Sequence, residues 1–185
     1  MKIAIVDIET SGFDQYKDHI LELGIAILDI DNGKIKKAFD NTIYENGYHS
    51  NGNGPDSWIY HNSSLTYDEV INSQNLEDYR DEIQHIFSNE CDGLTAFNSS
   101  FDFKFLRHRG FQFQEQSCIM RACTPILNLP PAPGMNTPKF PKAQEAWDYF
   151  FPGTGYIEEH RGYADAEMEA KILYEVIKME KYPFK

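Results

Sequence analysis

The sequence has no long apolar run. Met1-Lys2 leads into Ile3-Ala4-Ile5-Val6, and Asp7 ends that stretch at once. A signal-peptide core needs more than this, and a membrane span needs about 20 apolar residues. A cytoplasmic chain with no membrane partner is expected. Cysteine is also scarce: Cys91, Cys118 and Cys123 are an odd set of three without zinc-ligand spacing. Reduced thiols are therefore expected rather than a disulfide framework. The glycosylation sequons Asn62-Ser63-Ser64 and Asn98-Ser99-Ser100 consequently carry no weight. Basic residues are the third deficit. Residues 1–100 hold 6 Lys and Arg against 18 Asp and Glu, and the whole chain has a net charge of −12. Such a chain does not hold nucleic acid by bulk electrostatics, which excludes a histone-like protein.

What is present suits a globular domain. Hydrophobic residues make up 41% and aromatic residues 14% of 185 positions, enough for one domain over residues 1–185 with a substantial core. Bases concentrate at 101–142, where Lys104, Arg107, Arg109, Arg121, Lys139 and Lys142 face only Asp102 and Glu115. If a polyanion binds, Arg107, Arg109 and Lys142 are expected to grip it; a solvated helix face is the competing reading.

Residues 2–8 are apolar on both faces, as in a strand buried on both sides. Residues 19–30 and 34–44 read as two more strands, turning at Asp31-Asn32-Gly33. Residues 45–56 have loop composition. Leu76, Tyr79, Ile83, Ile86 and Phe87 form a helical stripe, 93–97 a short strand and 101–109 a helix. A proline-rich loop is expected over 130–141, then helices over 142–150 and 163–180. This order predicts an α/β fold, with a central mixed β-sheet begun by a three-strand meander and flanked by helices.

The carboxylates look misplaced. Ile5, Asp7 and Glu9 share one face of the most hydrophobic strand. Two like charges there are costly unless neutralised, and Mg²⁺ or Mn²⁺ is the natural partner for oxygen ligands. A strand that simply ends in solvated acids is the alternative. A second short strand, Ala96-Phe97, runs into Asn98-Ser99-Ser100-Phe101-Asp102, where Ser99 or Ser100 is expected to cap a helix. In His160-Arg161-Gly162-Tyr163-Ala164-Asp165, a loop histidine precedes an acid opening the last helix.

Asp7-Ile8-Glu9-Thr10-Ser11-Gly12, Asn98 to Asp102 and His160 to Asp165 resemble, in order and spacing, the three motifs of the DEDD (DnaQ-like) exonucleases. The histidine five residues before the last aspartate marks the DEDDh branch. The sequence looks most like the epsilon proofreading subunit of bacterial DNA polymerase III and free-standing relatives, over Ile3 to about Ile177. This resemblance implies a ribonuclease H-like fold and 3′→5′ hydrolysis to nucleoside 5′-monophosphates. It implies two metal ions on Asp7, Glu9, Asp102 and Asp165, with His160 as general base.

It also places Thr10, Ser11, Gly12, Phe13, Asn98 and Phe101 beside the substrate, Phe13 and Phe101 as stacking candidates, with core packing the favoured role for Phe101. Ser11 replaces a common threonine and Phe97 a common histidine or small residue; both are expected to tune preference.

A pair of cations about 3.5–4 Å apart activates water and stabilises the leaving oxygen. It also lets an acidic protein meet a polyanion. A histidine titrates near neutrality, which suits a general base. Single-stranded or frayed 3′ ends of DNA are the expected substrate, with a replication polymerase as a possible partner. An oligoribonuclease-type RNA trimmer is the second reading. A remote third is an inactive docking domain, disfavoured because no motif acid is missing. With Tyr182-Pro183-Phe184-Lys185 following directly on the last helix, a partner is expected to meet the domain surface.

Overall fold

The computed structural model describes residues 1–48 and 54–185. The expected loop at 45–56 is thus described only at its two ends, residues 49–53 lying outside. The meander forms as expected: β1 (Lys2–Thr10) pairs antiparallel with β2 (Ile20–Asp29), which pairs antiparallel with β3 (Lys34–Thr42). The β2–β3 turn closes when Gly33, at φ 72°, donates its N–H to the Asp29 carbonyl over 2.8 Å. That φ favours glycine. The fourth strand, β4 (Leu94–Thr95), adds parallel to the other side of β1, giving the order β3-β2-β1-β4.

β1 is therefore internal and covered on both faces, which is why its apolar run is nearly continuous. Ala4, Val6 and Ile8 face one core with Ile83, Ile86, Phe87, Phe103, Phe105 and Leu106. The stripe from Leu76 to Phe87 is one irregular helical segment. It comprises a 3₁₀ turn (Leu76–Tyr79), α3 (Arg80–His85) and a π turn (Ile86–Glu90). Phe103, Phe105 and Leu106 come from α4 (Ser99–His108). On the opposite face Ile3 and Ile5 pack with α5 (Ile119–Leu127), α6 (Ala143–Phe150) and α7 (Gly162–Lys178).

Three elements were not legible in advance. α1 (Trp58–Asn62) and α2 (Tyr67–Ile71) have five residues each, too short for a periodic stripe. They hold a small separate core of Leu21, Tyr48, Ile59, Leu65 and Val70. α5 carries Pro125, a residue that reads as a break. The proline-rich stretch at 130–141 has no helix or strand, as expected. The expected serine cap of α4 does not occur. Ser99 is already helical, Asn98 stands at the cap position, and Ser100 Oγ donates to Asn98 Oδ1 over 3.0 Å. No helix among the described residues is long and apolar enough to cross a membrane.

Candidate active site

The site is built where β1 ends. Asp7 lies opposite Gly24 and Glu9 opposite Glu22, and the β1–β2 register then slips, so that Thr10 meets Ile20. The slip ends regular pairing just past the two acids and releases the 11–19 loop. Asp7 Oδ2 is buried and has no hydrogen-bond partner among the described residues.

α4 brings Asp102 against this strand. Its Oδ1 accepts the Ile8 N–H over 3.3 Å, between the two β1 acids. α7 brings Asp165 from the other side, and two close contacts set its approach. A β-carbon at Gly24 would stand 2.0 Å from the Gly162 carbonyl carbon, so only backbone fits there. Glu22, 2% exposed, accepts the Gly162 N–H over 3.1 Å and a forked pair of bonds from Arg161 at 2.8–3.0 Å. Arg–carboxylate forks of this kind fix orientation as well as charge.

Asp165 in turn shapes the loop before it. Its carboxylate accepts the N–H groups of Glu159 (3.3 Å) and Arg161 (3.1 Å). Between them His160 takes a left-handed φ of 52°. Ligating atoms of Glu9, His160 and Asp165 lie within 4.8 Å of one another. The Trp58 ring meets His160 edge-on at 5.2 Å and is 60% exposed. Sequence reasoning missed Trp58, because nothing local to α1 announces a neighbour a hundred residues away.

It also missed a fifth acid. Glu169, one turn after Asp165 on α7, is 4% exposed and accepts the Phe97 N–H over 3.0 Å. An acid flanked by Met168 and Ala170 on a core-facing helix was the available signal. All five carboxyls are harder to ionise than usual. Burial, then Glu169, Glu9, Asp102 and Asp165, push Asp7 well up. Burial, then Asp165 and Glu22, do the same to Glu9. Burial raises Asp102 to about 7, and burial with Glu158 raises Asp165 to about 7. Glu169 is raised well above its ordinary value by burial, then by Asp102 and Asp165. A cluster of buried and half-buried carboxylate oxygens, one without a hydrogen-bond partner among the described residues, fits hard divalent cations.

The other residues expected beside substrate divide. Phe13 is 84% exposed and meets half-buried Phe101 at 6.1 Å in an edge contact. Thr10 Oγ1 donates to the Gly12 carbonyl (2.7 Å), and Asn98 is exposed. Gly12 lies so close to Asp18 that a β-carbon would stand 2.5 Å from its carboxylate. Ser11, however, is 5% exposed and turned inward, its Oγ accepting the His19 N–H over 2.9 Å. Phe97 is a core residue, 5% exposed among α5, α6 and α7. Neither side chain is placed to tune substrate preference, a correction that follows from burial.

Arg109 is corrected too. It forks onto Glu45 at 2.8–2.9 Å and donates to the carbonyls of Gln15 (2.8 Å) and Asp18 (2.7 Å). Both members of that pair are 11% exposed, so Arg109 is a structural clamp and not a free grip. Arg107 pairs with Glu115 at the surface (2.8 Å), and the Lys142 N–H is held by Glu145 (2.8 Å).

A family model described as Exonuclease (RNase T) matches residues 4–173. The chain belongs to this exonuclease family. No curated protein matched the sequence. The exonuclease is similar in fold to the nuclease domain of 3′hExo, "a DEDDh family member, bound to rAMP". That match has a TM-score of 0.75 at 15% identity, over 100% of this chain and 96% of that one. It is also similar to S. pombe Pop2p in a Mg²⁺ and Mn²⁺ bound form (TM-score 0.70, 14% identity, 94% and 82% covered). A third is E. coli exonuclease I in complex with a dA16 oligonucleotide (TM-score 0.63, 15% identity, 93% and 40% covered). These likenesses show the ribonuclease H-like fold.

Proposed function

We propose that this exonuclease removes nucleotides from the 3′ end of single-stranded nucleic acid in a divalent-metal-dependent reaction, releasing nucleoside 5′-monophosphates. The observation that carries the reading is the cluster of half-buried Asp7 and Glu9 with buried Asp102, Asp165 and Glu169, one oxygen of Asp7 having no hydrogen-bond partner among the described residues. Five acids gathered in one place, three of them buried, repel one another unless cations join them. Asp7, Glu9, Asp102 and Asp165 would hold two Mg²⁺ or Mn²⁺ ions. When bound, such a pair supplies charge neutralisation for the scissile phosphate and a more acidic water.

The chain's own residues do the remainder. His160 stands beside Glu9 and Asp165 and takes the proton of the attacking water. Asp165 holds the loop that keeps His160 there. Phe13, on a loop beside α4, offers a face to the terminal base. DNA ends are the substrate we favour. RNA trimming is the second reading, supported by likeness to a domain bound to rAMP and to a 3′-exonuclease recognising a histone mRNA stem-loop (TM-score 0.73).

Digestion of 5′-labelled single- and double-stranded DNA and RNA with Mn²⁺, and again with chelator, tests the proposal. A ladder shortening from the 3′ end in Mn²⁺ alone is expected. Release of the 5′ label first, or full activity in chelator, overturns it. The proofreading setting is a separate proposal, tested by binding to the catalytic subunit of a replicative polymerase.

A further inference from the structure

Beside the site, the loop 11–19 presents aromatic rings to solvent along one face of α4. Phe101, Lys104 and His108 are three, four and seven residues apart, so they share that face. Phe13 sits edge-on to Phe101, and Tyr16, 73% exposed, sits edge-on to His108 at 4.7 Å. Lys104 holds the first pair: its Nζ donates to the Phe13 carbonyl over 2.7 Å and lies 4.9 Å from the Phe101 ring centre.

Exposed aromatics on a slack loop would mean little, but this loop is pinned. The Ser11 N–H donates to the His19 carbonyl (3.0 Å) and Ser11 Oγ accepts the His19 N–H (2.9 Å). Arg109 holds the carbonyls of Gln15 and Asp18 from below, and Lys104 holds that of Phe13. The rings are thus held in place before any ligand arrives, which lowers the entropic cost of binding.

The second aromatic pair opens into a cleft of about 830 Å³. Tyr16, His108, Gln15, Asn46 and Asn75 line it, together with His19, whose buried Nδ1 has no hydrogen-bond partner among the described residues. It carries no excess of positive charge: Glu45 is matched by Arg109, Glu77 by Arg80, and Lys17 pairs with Asp14 rather than with Asp18. A cleft without net positive charge does not select phosphates. Amide groups and ring faces select neutral, flat, hydrogen-bonding groups.

We propose that this cleft is a nucleobase subsite for the same strand, several nucleotides 5′ of the end held at Asp7. Phe101 and His108 are seven helical residues apart, or about 10 Å. Bases stacked at about 3.4 Å cover that distance in three steps. A strand with its last base at Phe13 then places about its fourth base against Tyr16 and His108. The inference rests on the exonuclease reading above.

The test compares two substrates on the whole protein with Mn²⁺: the p-nitrophenyl ester of thymidine 5′-monophosphate, and a 5′-labelled dT10. Tyr16→Ala and His108→Ala should each raise KM for dT10 about 5- to 100-fold, the usual worth of one stacked base. They should leave kcat, and both constants for the ester, unchanged. Tyr16→Phe should restore the dT10 value. For the wild type, KM should fall with strand length up to about four nucleotides and then level off. An unchanged KM for dT10 in Tyr16→Ala overturns the subsite. So does equal damage to both substrates, which marks a merely structural ring pair. Hydrolysis of neither substrate by the wild type overturns the exonuclease reading and the subsite with it.

Discussion

Gly24 and Gly162 touch backbone to backbone, and a β-carbon on Gly24 would come within 2.0 Å of the Gly162 carbonyl carbon. Gly24 is the β2 partner of Asp7, and Gly162 opens the helix that carries Asp165. One glycine contact therefore sets how closely the first and last motifs approach. Gly24→Ala must move α7 away from the sheet, and overpacking of this kind costs about 1–3 kcal/mol or more. Urea denaturation should show that loss, and Mn²⁺ affinity measured by calorimetry should fall at least tenfold. Unchanged stability and Mn²⁺ binding would show that α7 shifts freely.

The pH dependence of stability follows from the raised carboxyls. Asp102 and Asp165 are lifted to about 7 by burial, and burial also raises Asp7, Glu9 and Glu169 well above their ordinary values. Between about pH 4 and pH 7 the folded chain then binds more protons than the unfolded chain, so stability falls as pH rises. His19, lowered by burial, acts the other way, but as one group against five. The metal-free protein should melt several degrees higher at pH 5 than at pH 8. Added Mn²⁺ should raise the Tm more at pH 8 than at pH 5. A flat metal-free Tm over this range would contradict the clustered charge.

Arg109 and Arg107 should separate cleanly, although both come from the same basic stretch. Arg109→Ala leaves Glu45 buried and unpaired, at a cost of about 3–5 kcal/mol. Arg107→Ala breaks a surface pair with Glu115 and should cost under about 1 kcal/mol. Chemical denaturation distinguishes them. Equal effects would mean that the Arg109 clamp does not hold the 11–19 loop.

His160 is best probed with asparagine, because its left-handed φ of 52° is one that asparagine tolerates and alanine does not. As a general base its loss should lower kcat by about 10²–10⁴ while Mn²⁺ affinity changes less than tenfold. Asp7→Asn should reduce both. Because His160 lies within 4.8 Å of Glu9 and Asp165, a large loss of Mn²⁺ affinity in His160→Asn would make it a ligand instead.

The parts of the fold written in local pattern were legible. β1 shows as an apolar run because both its faces are covered, and the β2–β3 turn shows in Asp31-Asn32-Gly33. The motif acids stood out because each ends an apolar element. What stayed hidden depends on partners distant in sequence. Arg109 reads as a free base until Glu45 is seen across 64 positions. Ser11 reads as a pocket residue until His19 turns it inward. The five-residue α1 and α2 are too short to declare a period, so Trp58 went unplaced beside His160.

Glu169 was the other residue out of sight, and it gives the sharpest test of how the cluster is balanced. It lies within the field of Asp7 and accepts the Phe97 N–H at the end of β4, so it has both a charge and a hydrogen-bonding role. Glu169→Gln separates the two, because an amide oxygen can still accept from Phe97 while the charge is gone. At pH 8 the metal-free Gln variant should melt higher than the wild type, since one of five mutually repelling groups is removed. Its Mn²⁺ affinity should fall, since less negative charge faces the ions. Glu169→Ala leaves the Phe97 N–H buried and unpaired, at a cost of about 1–3 kcal/mol. It should therefore be the less stable variant at pH 5, where protonation already quiets the repulsion. If Gln and Ala behave alike at both pH values, Glu169 fills space only, and the field at Asp7 is set by the other three acids.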